Sequence, residues 1–243
     1  MRSLSPLELI EAWDAPTAPA AHFRIEALLQ AALDGRDISG DTLGRRNQRL
    51  LDLRRALGVG RELEAVARCG CGVENELSVP VAAIAGAPTP APGDRAVDDL
   101  DGRLLDARLP TMADLAAVAP IGDPRAAADA LLIRCLDPAN DHPPLDTAAA
   151  LRALGPRLEA LDPAADIKLA VACVGCGAAL TVSVDLALFI GREIGRLVAT
   201  LLGEVDCLAR AYGWTETEIL ALPASRRCRY VALVRGDSLG DAA

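Results

Sequence analysis

Apolar residues recur along this chain with two different periods, and the points where the period changes mark its organisation. Leu7, Leu9, Ile10 and Trp13 follow Ser5, Pro6 and Glu8, which together read as an N-cap, a first-turn proline and a capping-box acid. That first helix is expected to end in a linker at 15–19, and a second helix to run over 21–33. A third helix, 41–57, gathers Leu43, Leu50, Leu53 and Leu57 on one face, with Arg45, Arg46, Arg49 and Arg55 largely on the other.

The pattern then changes. Residues 62–68 lead into Cys69-Gly70-Cys71-Gly72, and 76–81 alternate as a strand does. A loop rich in Ala, Pro and Gly is expected over 85–93, an acidic stretch over 94–106 and a short strand over 103–109. Helices follow at 112–119, 124–136 and 146–161, the last two separated by a proline-rich loop holding His142. Strand-like segments 167–172 and 180–184 flank Cys173-Val174-Gly175-Cys176-Gly177. The most regular helix, 186–212, places Ile190, Ile194, Leu197, Leu201, Val205, Leu208 and Tyr212 at helical spacing before Gly213. Thr215 and Glu218 form a second capping box, and a final helix is expected over 225–234.

The expected class is α+β and mainly α-helical: helical segments around a small antiparallel, zinc-ribbon-like β element, with a C-terminal helical hairpin or three-helix segment. The expected regions are 1–60, helical; 61–185, two cysteine knuckles with a helical insert at 86–165; 186–235, helical; and 236–243, a disordered tail.

Composition narrows the function. A chain of 243 residues that is 51% hydrophobic can bury a sizeable core. Its apolar runs fall short of the roughly 20 residues that span a bilayer, and its start lacks the apolar core of a secretory signal. A cytoplasmic protein with no membrane partner is therefore expected. The formal charge of −9 argues against a protein whose main work is neutralising phosphates. Seven cysteines in such a chain point to thiols or metal ligands rather than disulfides.

The two cysteine clusters are an internal repeat. Cys71-Gly72 and Cys176-Gly177 are each followed, at the same offset, by Leu77-Ser78-Val79 and Val182-Ser183-Val184. A glycine after the second cysteine lets backbone amides turn toward the sulfurs, and two knuckles offer four thiolates to one tetrahedral ion. Cys69, Cys71, Cys173 and Cys176 are accordingly the expected ligands of a structural Zn2+. A redox pair at Cys173 and Cys176 would need a helix after the motif, where a strand is expected. Reduced thiols are the competing reading. Cys135, Cys207 and Cys228 lie among apolar residues on helices and read as buried packing residues.

No catalytic constellation emerges. Gly236-Asp237-Ser238-Leu239-Gly240 matches a serine-hydrolase elbow, but only three residues follow it and both histidines, His22 and His142, lie far upstream. Residues 98–102 lack the first ligand of a calcium loop and read as a solvated turn. The cluster Arg226-Arg227-Cys228-Arg229 reads as solvated or as a docking face for an acidic protein.

Three stretches resemble a known family. They are Gly44-Arg45-Arg46-Asn47 with Leu50, Leu51, Leu53 and Arg54; Ala107-Arg108-Leu109-Pro110-Thr111 with Asp114 and Leu115; and Glu204-Val205-Asp206 through Tyr212-Gly213-Trp214, Ile219-Leu220, Leu222-Pro223, Arg226-Arg227 and Tyr230. They resemble the T4-type baseplate hub assembly chaperones of contractile phages and phage-derived contractile injection systems. The likeness spans most of the chain from about residue 40. The Cys-Pro-x-Cys-Gly knuckle usual in that family is altered at both sites here. The resemblance implies a non-enzymatic protein that assembles, or forms part of, the baseplate hub, with hub or spike proteins as partners. It would reside in the cytoplasm or be retained in the assembled particle. On this reading Tyr212, Trp214, Arg226, Arg227 and Tyr230 form the partner-binding face, since exposed aromatics are enriched in hot spots. The alternatives are a zinc-ribbon nucleic-acid-binding module, which would need a basic stripe beside the ribbon, and a hydrolase built around His142.

Overall fold

The computed structural model describes residues 1–15, 21–60, 62–86, 88–91, 93–137 and 146–237, with backbone only at 21–23 and 83. Among the described residues helix accounts for 53% and strand for 19%, so the class is α+β with helix dominant. In chain order the first elements are α1 (Pro6–Asp14), α2 (Ala21–Ala32), α3 (Leu43–Ala56), β1 (Glu62–Arg68), β2 (Glu74–Pro80), α4 (Val81–Ala85), β3 (Arg95–Leu100) and β4 (Arg103–Arg108). They are followed by α5 (Met112–Val118), α6 (Pro124–Cys135), α7 (Thr147–Leu161), β5 (Ile167–Ala172), β6 (Ala179–Val184), α8 (Leu186–Tyr212), α9 (Glu216–Ala221) and α10 (Ala224–Arg235). The strands form three separate antiparallel pairs, β1–β2, β3–β4 and β5–β6.

The chain divides into two compact units. One comprises Met1–Gly35 and Leu186–Ala243, and the other Arg36–Asp185. In the first, the helical spacing of α8 turns Leu186, Ile190, Ile194, Val198, Leu201 and Leu208 inward. Ile25, Leu28 and Leu29 of α2 and Leu9 and Ile10 of α1 are buried with them. Each such side chain contributes about 1.5–3 kcal/mol on burial, which is far more than the helix propensities supply. The capping boxes at Ser5/Glu8 and Thr215/Glu218 are both formed, each hydroxyl accepting the N3 amide while the acid accepts the cap amide.

The Arg36–Asp185 unit is built differently. Helices α6 and α7 cover one face of the β3–β4 hairpin, enclosing Ala96, Leu105, Ala107, Leu132, Ala150 and Leu154. The boundary expected at residue 60 falls elsewhere, because α3 belongs to this unit. Its N-terminal Gly44 amide donates to Asp162 Oδ2 at 2.9 Å, and Asn47 Nδ2 donates to the Ala164 carbonyl at 2.7 Å. Arg54, buried at the other end of α3, donates to the Gly60 and Glu62 carbonyls where β1 begins. The Gly44 and Asn47 bonds cross more than 100 residues of sequence, so no local pattern announces them.

Two elements differ from the expectation. The acidic stretch contains strand β3: Asp98 and Asp99 lie in it, and only Asp101 and Gly102, at φ 56° and 80°, make the turn to β4. Asp98 is paired with Arg157 at 2.9 Å rather than simply solvated. The strand expected to reach Val81 ends at Pro80, which opens the five-residue α4. The linker at 16–19, most of the loop holding His142, and the tail from Ser238 fall outside the described residues, as does the serine of the hydrolase-like motif.

Candidate metal centre

The repeat noticed in the sequence folds as two matching hairpins. Strands β1 and β2 pair from Glu62↔Pro80 to Arg68↔Glu74, and β5 and β6 from Ile167↔Val184 to Ala172↔Ala179. Each hairpin is closed by its knuckle. In the first, the Cys69 amide donates to the Val73 carbonyl and the Gly72 amide to the Cys69 carbonyl, both at 2.9 Å. In the second, Cys173 donates to Ala178 at 2.9 Å and Gly177 to Cys173 at 2.8 Å. The residue missing from Cys69-Gly70-Cys71 is thus taken from the turn, and strand pairing is preserved on both sides. Gly72 and Gly177 sit at φ 92° and 73°, a region that strains any residue with a Cβ.

The hairpins bring Cys69, Cys71, Cys173 and Cys176 together, with all four sulfurs within 4.8 Å of one another. The Cys69–Cys176 and Cys71–Cys173 sulfurs are each 3.7 Å apart. Four sulfurs at about 2.3 Å from a central ion would lie about 3.8 Å from one another in a regular tetrahedron, so the cluster could hold a metal ion. Each hairpin supplies one buried sulfur, Cys69 or Cys173, and one exposed sulfur, Cys71 or Cys176.

Charge explains why such a cluster favours a cation. The Cys176 and Gly175 amides hold the Cys173 thiol down to about 6, and the Gly175 amide lies 3.4 Å from its sulfur. The Cys71 amide also pulls on Cys69, but the thiols of Cys71, Cys173 and Cys176, together with burial, push it up to about 12. Four thiolates this close repel strongly unless a positive ion stands among them.

Asn75 is a supporting residue that sequence reasoning missed. It is 2% exposed, donates from Nδ2 to the Ala67 and Val73 carbonyls, and accepts the Val174 amide at 2.8 Å. One side chain therefore ties the first hairpin to the second knuckle. Gly175 completes the contact, since a Cβ there would lie 2.8 Å from Val73 Cγ2. The only signal available was a polar residue four positions after Cys71, and the second repeat has Leu180 at that place.

The other candidate residues lie in the unit that contains α8–α10. Tyr212 stacks on Trp214 at 4.8 Å, and Tyr230 sets its edge against both, at 5.9 and 5.1 Å. Tyr212 is 42% exposed, while Trp214 and Tyr230 are half-buried against Leu208, Ile219 and Val231. Arg226 is exposed. Arg227 is not: it is 3% exposed and donates to Glu204 at 2.7 Å and to the Leu222 carbonyl at 2.6 Å. It faces α8 on the same side of α10 as Val231, one turn later, so its charge is already matched inside the fold. Among the remaining cysteines Cys135 is buried, which raises its thiol to about 11, and Cys207 is half-buried. Cys228, expected in the core, is exposed. No protein-family model, curated protein or solved structure matched this chain.

Proposed function

We propose that this protein is a non-enzymatic assembly factor or component of the baseplate hub of a contractile tail or injection system, acting through protein–protein binding on a zinc-stabilised, zinc-ribbon-like scaffold. The observation that carries the zinc reading is the cluster of four cysteine sulfurs, all within 4.8 Å of one another. Thiolate ligands favour zinc over harder cations, and four protein ligands leave no position for a reacting water. Bound there, zinc would supply folding energy, about 10–16 kcal/mol in small zinc peptides, and no reaction. Cys69, Cys71, Cys173 and Cys176 would hold it, with Asn75 and Gly175 keeping the two knuckles in register.

The hub reading rests on the sequence resemblance, and the surface on α9 and α10 suits it. An exposed Tyr212 beside Trp214 and Tyr230 offers a rigid aromatic anchor, and the short helices α9 and α10 each pack against α8. Nucleic acid is the weaker reading because the first metal-side hairpin carries Glu62, Glu64, Glu74 and Glu76 against Arg68. A tagged pull-down from the host, with mass spectrometry of the soluble complex and of purified contractile particles, tests the proposal. Hub or spike subunits with the soluble protein indicate an assembly factor, and recovery in particles a structural component. Recovery of nucleic acid without baseplate proteins would sink it.

A further inference from the structure

Helix α10 carries Arg226, Arg227, Arg229 and Arg235 and no acidic residue, within a chain of formal charge −9. Glu204 neutralises Arg227 in the interior. The side that buries Arg227 and Val231 fixes the opposite side, where Arg226, Arg229 and Leu233 follow one another at spacings of three and four residues. Both arginines are exposed there, and Leu233 is 52% exposed. Neither Arg226 nor Arg229 forms an ion pair among the described residues. Tyr230, half-buried, continues this surface toward Tyr212 and Trp214.

From this juxtaposition we propose that the outer face of α10 docks an amphipathic helix of a partner protein whose apolar stripe is flanked by carboxylates. The proposal rests on the reading of this surface as a partner-binding face. Two exposed arginines followed by an exposed leucine at helical spacing complement an acid–apolar helix laid along them. A uniformly charged polyanion fits less well.

The test is photo-crosslinking of the full chain in its host, with a benzoylphenylalanine at position 233 and mass spectrometry of the adduct. The expected adduct is a protein segment with helical spacing of apolar residues and flanking Asp or Glu. R226E/R229E should lower its yield at least tenfold and R226K/R229K leave it within about twofold, with helix content unchanged by circular dichroism. If the segment belongs to a hub or spike protein, both readings stand. If it is acidic but belongs to an unrelated protein, the docking chemistry stands and the hub assignment fails. An adduct with nucleic acid, with a second copy of this chain, or with a segment lacking carboxylates overturns the proposal. So does a yield indifferent to charge reversal, or the absence of any adduct.

Discussion

Gly44 and Asp162 show how much of this structure depends on single atoms. A Cβ on Gly44 would overlap the Asp162 carboxylate, which accepts the Gly44 amide and so satisfies one of the free donors at the N-terminus of α3. Gly44→Ala should therefore cost about 2–3 kcal/mol by urea unfolding, more than the same change at an exposed helix position, where alanine normally stabilises. The double mutant with Asp162→Gly should cost less than the sum of the single changes, by about 1 kcal/mol or more. Strict additivity would mean that the two residues do not act on each other. Asn75 makes a comparable demand. Asn75→Ala leaves the Val174 amide without its buried acceptor and should destabilise by about 1–3 kcal/mol. None of these pairs was legible in the sequence, because each partner lies 99–118 residues away.

Elements were legible where their signals are local. The serine, threonine and acid of each capping box, the period of α8 and the glycine-closed knuckles are all written within a few residues, and the structure places them accordingly. Strand β3 was not, since Asp98 and Asp99 are poor strand formers, and its pairing with β4 is stabilised by the helices packed on its inner face. Helix α5 adds a device of its own. Thr111 caps it, and the Asp114 carboxylate, 2% exposed, accepts from Arg108 at 2.5 Å and from Arg134 at 3.1 Å. Arg108 first, and then the Thr111 amide and hydroxyl, hold Asp114 well below the usual carboxylate range despite its burial. Because the folded-state pKa is lowered, the stabilisation is present above the unfolded value of about 3.9 and is lost as pH falls toward the folded one. Asp114→Asn should therefore cost about 2 kcal/mol at neutral pH, with the deficit shrinking below about pH 4. A deficit that does not change with pH would show that the charge is not what matters.

For the whole molecule, the separation of the two knuckles by the insert between them means that one ion would close a loop of roughly 100 residues, at little more entropy cost than a loop half that size. All four thiols belong to the Arg36–Asp185 unit. A strong chelator should lower that unit's melting transition by on the order of 10 °C or more, and leave the unit containing α8 largely unchanged. The cysteine repeat made the site legible from sequence. The division of the chain was not, because the first 35 residues join α8–α10 through apolar faces that any partner helix could have covered. The most direct test of the account is native mass spectrometry with X-ray absorption on the purified full chain and on its Cys71→Ser variant, in which the shorter knuckle loses its exposed sulfur. The account predicts one zinc per chain with four sulfur neighbours at about 2.3 Å, and loss or marked weakening of that zinc in the variant. A wild-type chain that carries no metal, or a variant that keeps its zinc as tightly as the wild type, would contradict it.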